Sequence, residues 1–219
     1  MQKQRIPYLD LAELKDERML AEFDRCRREG TPRPESQAIR GHVPATFWAF
    51  ANTWEAVFRN GVCDHAIKEL CRVYAARAIN CDYCANQRSV KSANVGLVEE
   101  DYKELMNFEK SDRYDDREKT ALAYAEVIVW DLPADDALWA RLYQHFTVPQ
   151  IVELGFFMAI TMGQGRWLRT LNIEHHQVLT GTDSGMAPNF EDMSALQKSK
   201  ADPSYWANLQ TRPSSVAAE

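Results

Sequence analysis

The chain has 219 residues, 45% of them hydrophobic and 26% charged, enough to bury a sizeable core in one large domain. Its mean hydropathy is −0.47, and the longest apolar stretch, Val148 to Met162, is broken by Pro149, Gln150 and Glu153, so no spanning helix of about 18 apolar residues is expected. The 26 basic residues are outnumbered by 32 acidic ones and the two signs are interspersed, which argues against nucleic acid as a partner.

The opening MQKQRIPYLDLAEL lacks the apolar centre of a secretory signal, and a cytoplasmic protein with no membrane partner is the expectation. Five cysteines, Cys26, Cys63, Cys71, Cys81 and Cys84, make an odd set. In a protein read as intracellular they point away from a disulfide framework.

Nine Gly and nine Pro are few for this length, and no segment shows sustained period-two alternation, so the fold class read from the chain is all-α. A first helix is expected over Asp10 to Arg28, closed by Gly30 and followed by the breaker stretch TPRPES. Phe47, Phe50, Trp54 and Phe58 carry helical spacing from Pro44 to a stop at Asn60-Gly61. The stripe reads as core, with part of it available to a neighbouring subunit. A third helix runs from Asp64 to about Ile79 on Ile67, Leu70, Val73, Tyr74 and Ala78. Asn80 then reads as the N-cap of a helix reaching Asn94, with Gly96 beyond it. Glu99 to Phe108, a segment around Leu122, Ala125 and Val129, and an amphipathic segment from Leu138 to Phe146 follow. Thr147 and Gln150 form a capping-box signature, with Pro149 in the first turn, before a long helix to about Leu171. Residues 1–180 are read as one helical domain and 181–219 as an irregular tail.

Cys81-Asp82-Tyr83-Cys84 is the motif with a specific chemistry. Two thiols three apart at a helix start share a face, and the free N–H groups of a first turn favour a thiolate. Arg88, four residues after Cys84, is expected one turn further along the same face, where its charge would lower the thiol pKa. Two alternatives stay open: plain packing of buried cysteines, and a zinc site drawing on Cys63, His65 and the CxxC pair. Haem attachment is excluded because Ala85, not His, follows Cys84. Glu69 lies twelve residues before Cys81, and periodicity leaves its burial undecided. Arg166 reads either as a helix-end anchor or as a pocket wall, and His175-His176 as surface residues.

The run Lys68-Glu69-Leu70, the gap to Asn80-Cys-Asp-Tyr-Cys84, the Asp-Asp-Arg-Glu-Lys helix, the segment from His145 to Leu154 and the Gly-Gln-Gly-Arg-Trp ending together resemble the carboxymuconolactone decarboxylase and AhpD-like alkylhydroperoxidase superfamily, over about Pro44 to Leu171. The resemblance implies an AhpD-like helical bundle packed around the CxxC helix, and a homo-oligomer. It implies Cys84 as the peroxide-attacking thiol, Cys81 as the resolving thiol and Glu69 as proton acceptor. It implies a hydroperoxide or disulfide as substrate and an external thiol as reductant, with no cofactor and no metal. Arg88 stands where the family usually has His, and Tyr83 lies between the cysteines. Arg does not deprotonate, so the family's proton relay cannot run through Arg88. The other readings are an enzyme like the carboxymuconolactone decarboxylases, and a redox-sensing oligomer that does not turn over.

Overall fold

A computed structural model describes residues 4–11 and 13–173, and every regular element among them is helical. The first helix, α1 (Glu17–Glu29), starts seven residues later than the hydrophobic pattern suggests, because Asp16 caps it by accepting from the Arg18 and Met19 N–H groups at 2.9 and 3.1 Å. It closes on Gly30 at φ 77°. The TPRPES stretch does not end structure. Pro34 occupies the first turn of a short helix, α2 (Pro34–Arg40), where its missing N–H costs nothing, and all seven residues are buried.

Helix α3 (Pro44–Thr53) runs on without a break into a π-helical turn, Trp54–Arg59. The aromatic stripe is core. Trp54 and Phe58 rings lie 4.6 Å apart, and Phe58 stacks on Phe157 of the last helix at 5.2 Å.

At the centre is α4 (His65–Ala78), in which 12 of 14 residues are buried. It packs against α8 (Asp116–Trp130) and α10 (Val148–Thr170). A helix buried all round must satisfy its polar groups internally. Lys68, 1% exposed, donates to the Val57 carbonyl and to Glu153 of α10 at 2.6 and 2.7 Å. The α10 start follows the sequence signature: Gln150 Oε1 reaches back to accept the Thr147 N–H at 3.0 Å and its hydroxyl at 3.1 Å, with Pro149 in the first turn.

Between these layers the chain is more broken than its periodicity suggests. Asn80 is not an N-cap; it sits at φ 53° and terminates α4 in left-handed backbone. The CxxC segment is a single turn, α5 (Asp82–Ala85), and the chain restarts as α6 (Val90–Asn94) under a Ser89 cap. Short α7 (Glu99–Lys103), a 3-10 turn over Leu105–Lys110 and α9 (Asp136–His145) complete the order. Among the described residues no single helix is long and apolar enough to cross a membrane. The expected tail over 181–219 and the pair His175-His176 lie outside the described residues.

Candidate thiol site

Helix α5, with Cys81 at its N-cap and Cys84 within it, is held against both α4 and α10. Cys81 and Cys84 are joined as a disulfide with Cα atoms 5.3 Å apart. Their surroundings differ. Cys81 is 1% exposed, whereas Cys84 is partly exposed and lines a small, open-mouthed cavity of about 40 Å³. Phe50, Trp54, Arg40, Arg72 and Leu168 form much of its wall. Gly165 of α10 leaves room for the pair: a Cβ there would press on Ile79 Cδ1 at 2.7 Å and lie 4.0 Å from the Cys84 sulfur.

Glu69 is fully buried, which settles the burial that periodicity left open. Its carboxylate takes a two-pronged ion pair from Arg72, Nε to Oε2 at 2.7 Å and Nη2 to Oε1 at 2.8 Å, and accepts the Ser89 N–H at 2.9 Å. Burial alone would raise this carboxyl, but the Arg72 charge and these hydrogen bonds hold it below the ordinary range. Arg72 also donates to the backbone carbonyls of Cys84 at 2.9 Å and Gln87 at 2.6 Å. It therefore stands between the carboxylate and the CxxC turn. Its pairing with Glu69 was legible as an i, i+3 spacing; its reach to Cys84 was not.

His65, weighed for zinc beside Cys63, is engaged elsewhere. Its Nδ1 lies 2.9 Å from the Phe58 carbonyl, so this nitrogen carries the proton, and Nε2 accepts from the Ser89 hydroxyl at 2.7 Å. Burial lowers its pKa to about 4. Cys63 is buried, its thiol pushed up to about 11 chiefly by desolvation, and its N–H donates to Glu153 at 3.0 Å.

Arg88 departs from its expected place. Because α5 ends at Ala85, the guanidinium is not stacked one turn above Cys84. It pairs with Glu99 at 2.7 Å, donates to the Ala85 and Gln87 carbonyls at 2.6 and 2.8 Å, and covers the Tyr102 ring at 4.3 Å. The Tyr83 hydroxyl turns away from the thiols toward α2, 3.1 Å from the Ser36 N–H and 3.4 Å from Glu35. Arg166 donates to the Val129 carbonyl at 3.2 Å and is absent from the cavity wall, so it is an anchor between α10 and α8.

Residues 44–127 match the model described as the Carboxymuconolactone decarboxylase family. An uncharacterized protein of Mycobacterium tuberculosis, found in strains H37Rv and CDC 1551, is 35% identical over 104 residues, 46% of this chain and 36% of that protein. The chain thus spans about a third of the length of the curated relatives it matches. Among solved structures, the debrominase Bmp8 in its apo form aligns at a TM-score of 0.69 and 16% identity, covering 80% of this chain and 94% of that one. The alkylhydroperoxidase AhpD core of an uncharacterized peroxidase-related protein from Ralstonia eutropha JMP134 aligns at 0.62 and 19%, covering 84% and 98%. Likeness at these identities concerns the fold. Residues 44–127 are thus similar to the carboxymuconolactone decarboxylase family, and the described residues have the AhpD-like helical fold.

Proposed function

We propose that this chain is a thiol-dependent oxidoreductase in which Cys84 attacks a hydroperoxide or a disulfide. The observation that carries the reading is the asymmetry of the pair: Cys84 lines a cavity while Cys81 is sealed behind it. With a hydroperoxide, the Cys84 thiolate takes the distal oxygen, the O–O bond breaks, and the alkoxide leaves and takes up a proton. Cys81 then attacks the Cys84 sulfenic acid, forming the S–S bond and releasing water. Two electrons from an external dithiol, or from two monothiols, reopen the disulfide. With a disulfide substrate, exchange through a mixed disulfide gives the same end state. No cofactor enters this cycle.

In this reading Glu69 is a positioning residue. Its carboxylate, ionised and gripped by Arg72, orients the guanidinium that holds the Cys84 carbonyl and so fixes the turn on which the thiol rides. The reading favours a cytoplasmic setting, where thiol reductants are available. It also favours a homo-oligomer, since Val148, Val152 and Phe156 form an exposed apolar stripe along α10, at 60%, 65% and 54% exposure. The decarboxylase-like alternative needs a free acid or base, and Glu69 in its ion pair is not one.

The test is a thiol count on dithiothreitol-treated protein before and after cumene hydroperoxide. Two thiols per chain should disappear and return on re-reduction, and Cys84→Ser protein should lose none. A wild-type count that peroxide and disulfide both leave unchanged defeats the proposal.

A further inference from the structure

The cavity beside Cys84 holds a charge that the thiol chemistry does not use. Arg40, the last residue of α2, lines it and is 2% exposed. Its Nη1 donates to Gln37 Oε1 at 3.2 Å and its Nη2 to Gln164 Oε1 at 2.7 Å, both neutral amide oxygens. Its Nε has no hydrogen-bonding partner among the described residues.

The other deeply buried cations each have a carboxylate: Arg72 has Glu69, Lys68 has Glu153, Arg88 has Glu99, and Arg33 has Glu35 at 3.6 Å. Arg40 alone among them has none within the described residues. An ion taken out of water without a counter-charge costs several kcal/mol on general grounds. Burial lowers the guanidinium pKa to about 10, which leaves it charged at neutral pH.

Trp54 and Thr161 line the same cavity, and Trp54 Nε1 and Thr161 Oγ1 are buried with no hydrogen-bonding partner among the described residues. Much of the remaining wall is apolar, beside Ser36, Arg72 and Gln164. Phe50 and Trp54 stack with centroids 5.2 Å apart and planes 25° from parallel, and the Arg40 guanidinium lies 3.7 Å from the Phe50 centroid. Arg40 also lines an outer depression together with His42, Val43 and Trp167.

We propose that a small aromatic carboxylate docks at the open mouth of this cavity beside Cys84, with Arg40 as its counter-charge and the Phe50 and Trp54 rings as its apolar floor. A guanidinium matches a carboxylate in shape as well as charge, and a mostly apolar pocket with a few convergent donors is the ordinary form of a small-molecule site. Resting on the thiol chemistry proposed above, the inference narrows the substrate to a hydroperoxide or disulfide built on an aromatic acid. Binding itself does not depend on that chemistry.

The experiment measures iodoacetamide alkylation of Cys84 in reduced protein by mass spectrometry, with benzoate, benzamide or acetate present at equal concentration. Benzoate should slow alkylation at least tenfold more than benzamide, its neutral counterpart, and than acetate, which lacks the ring. Arg40→Gln should weaken benzoate protection at least tenfold and Arg40→Lys should keep part of it, with far-UV circular dichroism confirming the fold of each. If Arg40→Gln does not fold, the wild-type comparison of the three ligands decides alone. Equal protection by benzoate and benzamide, or protection by neither, overturns the proposal. Selective benzoate protection in a protein that consumes no peroxide or disulfide leaves this site standing and removes the redox reading; thiol turnover without benzoate selectivity does the reverse.

Discussion

Arg72 ties the most deeply buried carboxylate near the site to the CxxC turn, donating to the Cys84 carbonyl at 2.9 Å with one nitrogen while the other two grip Glu69. The Glu69 carboxylate is engaged by Arg72 and the Ser89 N–H, and a guanidinium does not relay a proton as a histidine does.

Breaking that pair from one side strands a buried charge. Arg72→Met should destabilise the fold by about 3–5 kcal/mol. Glu69→Gln alone should cost a comparable amount, and the double variant Glu69→Gln/Arg72→Met should recover a substantial part of the loss. Urea unfolding of the four proteins supplies the cycle, and strictly additive losses would show that the two residues are not coupled.

His65 makes stability pH-dependent in a definite direction. Its folded pKa is lowered from 6.5 to about 4 by burial, so between these values the unfolded chain binds a proton that the native state refuses. Stability is therefore full above pH 6.5 and falls as the pH drops toward 4, by up to about 3 kcal/mol. His65→Gln should flatten that slope in urea titrations at pH 4.5, 5.5 and 7. An unchanged slope in the variant would place its origin elsewhere.

Arg88 is tied into the scaffold through Glu99 and the Ala85 and Gln87 carbonyls. Replacing it by Ala strips partners from the Ala85 and Gln87 carbonyls and leaves Glu99 unpaired, which should lower stability by about 1–3 kcal/mol. The pH profile of Cys84 alkylation in the Cys81→Ser background should superimpose with and without the Arg88→Ala change. A shift of that profile would return Arg88 to the thiol's electrostatics.

Gly165 guards the space behind the cysteines. Gly165→Val should press on Ile79 and crowd the Cys84 sulfur, slowing re-formation of the disulfide after reduction while helix content is kept. Oxidation with diamide, timed by loss of free thiols, reads this directly. A rate equal to the parent's would mean that α10 yields at this point.

The parts of the fold written in local chemistry were legible in the chain. The α10 start needed only Thr147, Gln150 and Pro149, which speak to each other across one turn. The aromatic stripe was equally plain, since its spacing reports one face. Asn80 misled because the same residue type suits an N-cap and a left-handed termination, and packing of the CxxC turn on α4 and α10 chose the second. The cysteines and Glu69 stood out by type and spacing. Arg40 did not: it lies just beyond the stretch read as a breaker, and its relation to Cys84 exists only once α2 is folded over the cavity.

In the proposed chemistry Cys84, not Cys81, is the thiol that meets substrate. Brief treatment of the reduced protein with substoichiometric iodoacetamide, followed by peptide mass spectrometry, measures which cysteine reacts first. The cavity-facing position of Cys84 and the sealed position of Cys81 predict label on Cys84 at least ten times that on Cys81. Equal labelling, or preference for Cys81, would contradict the account.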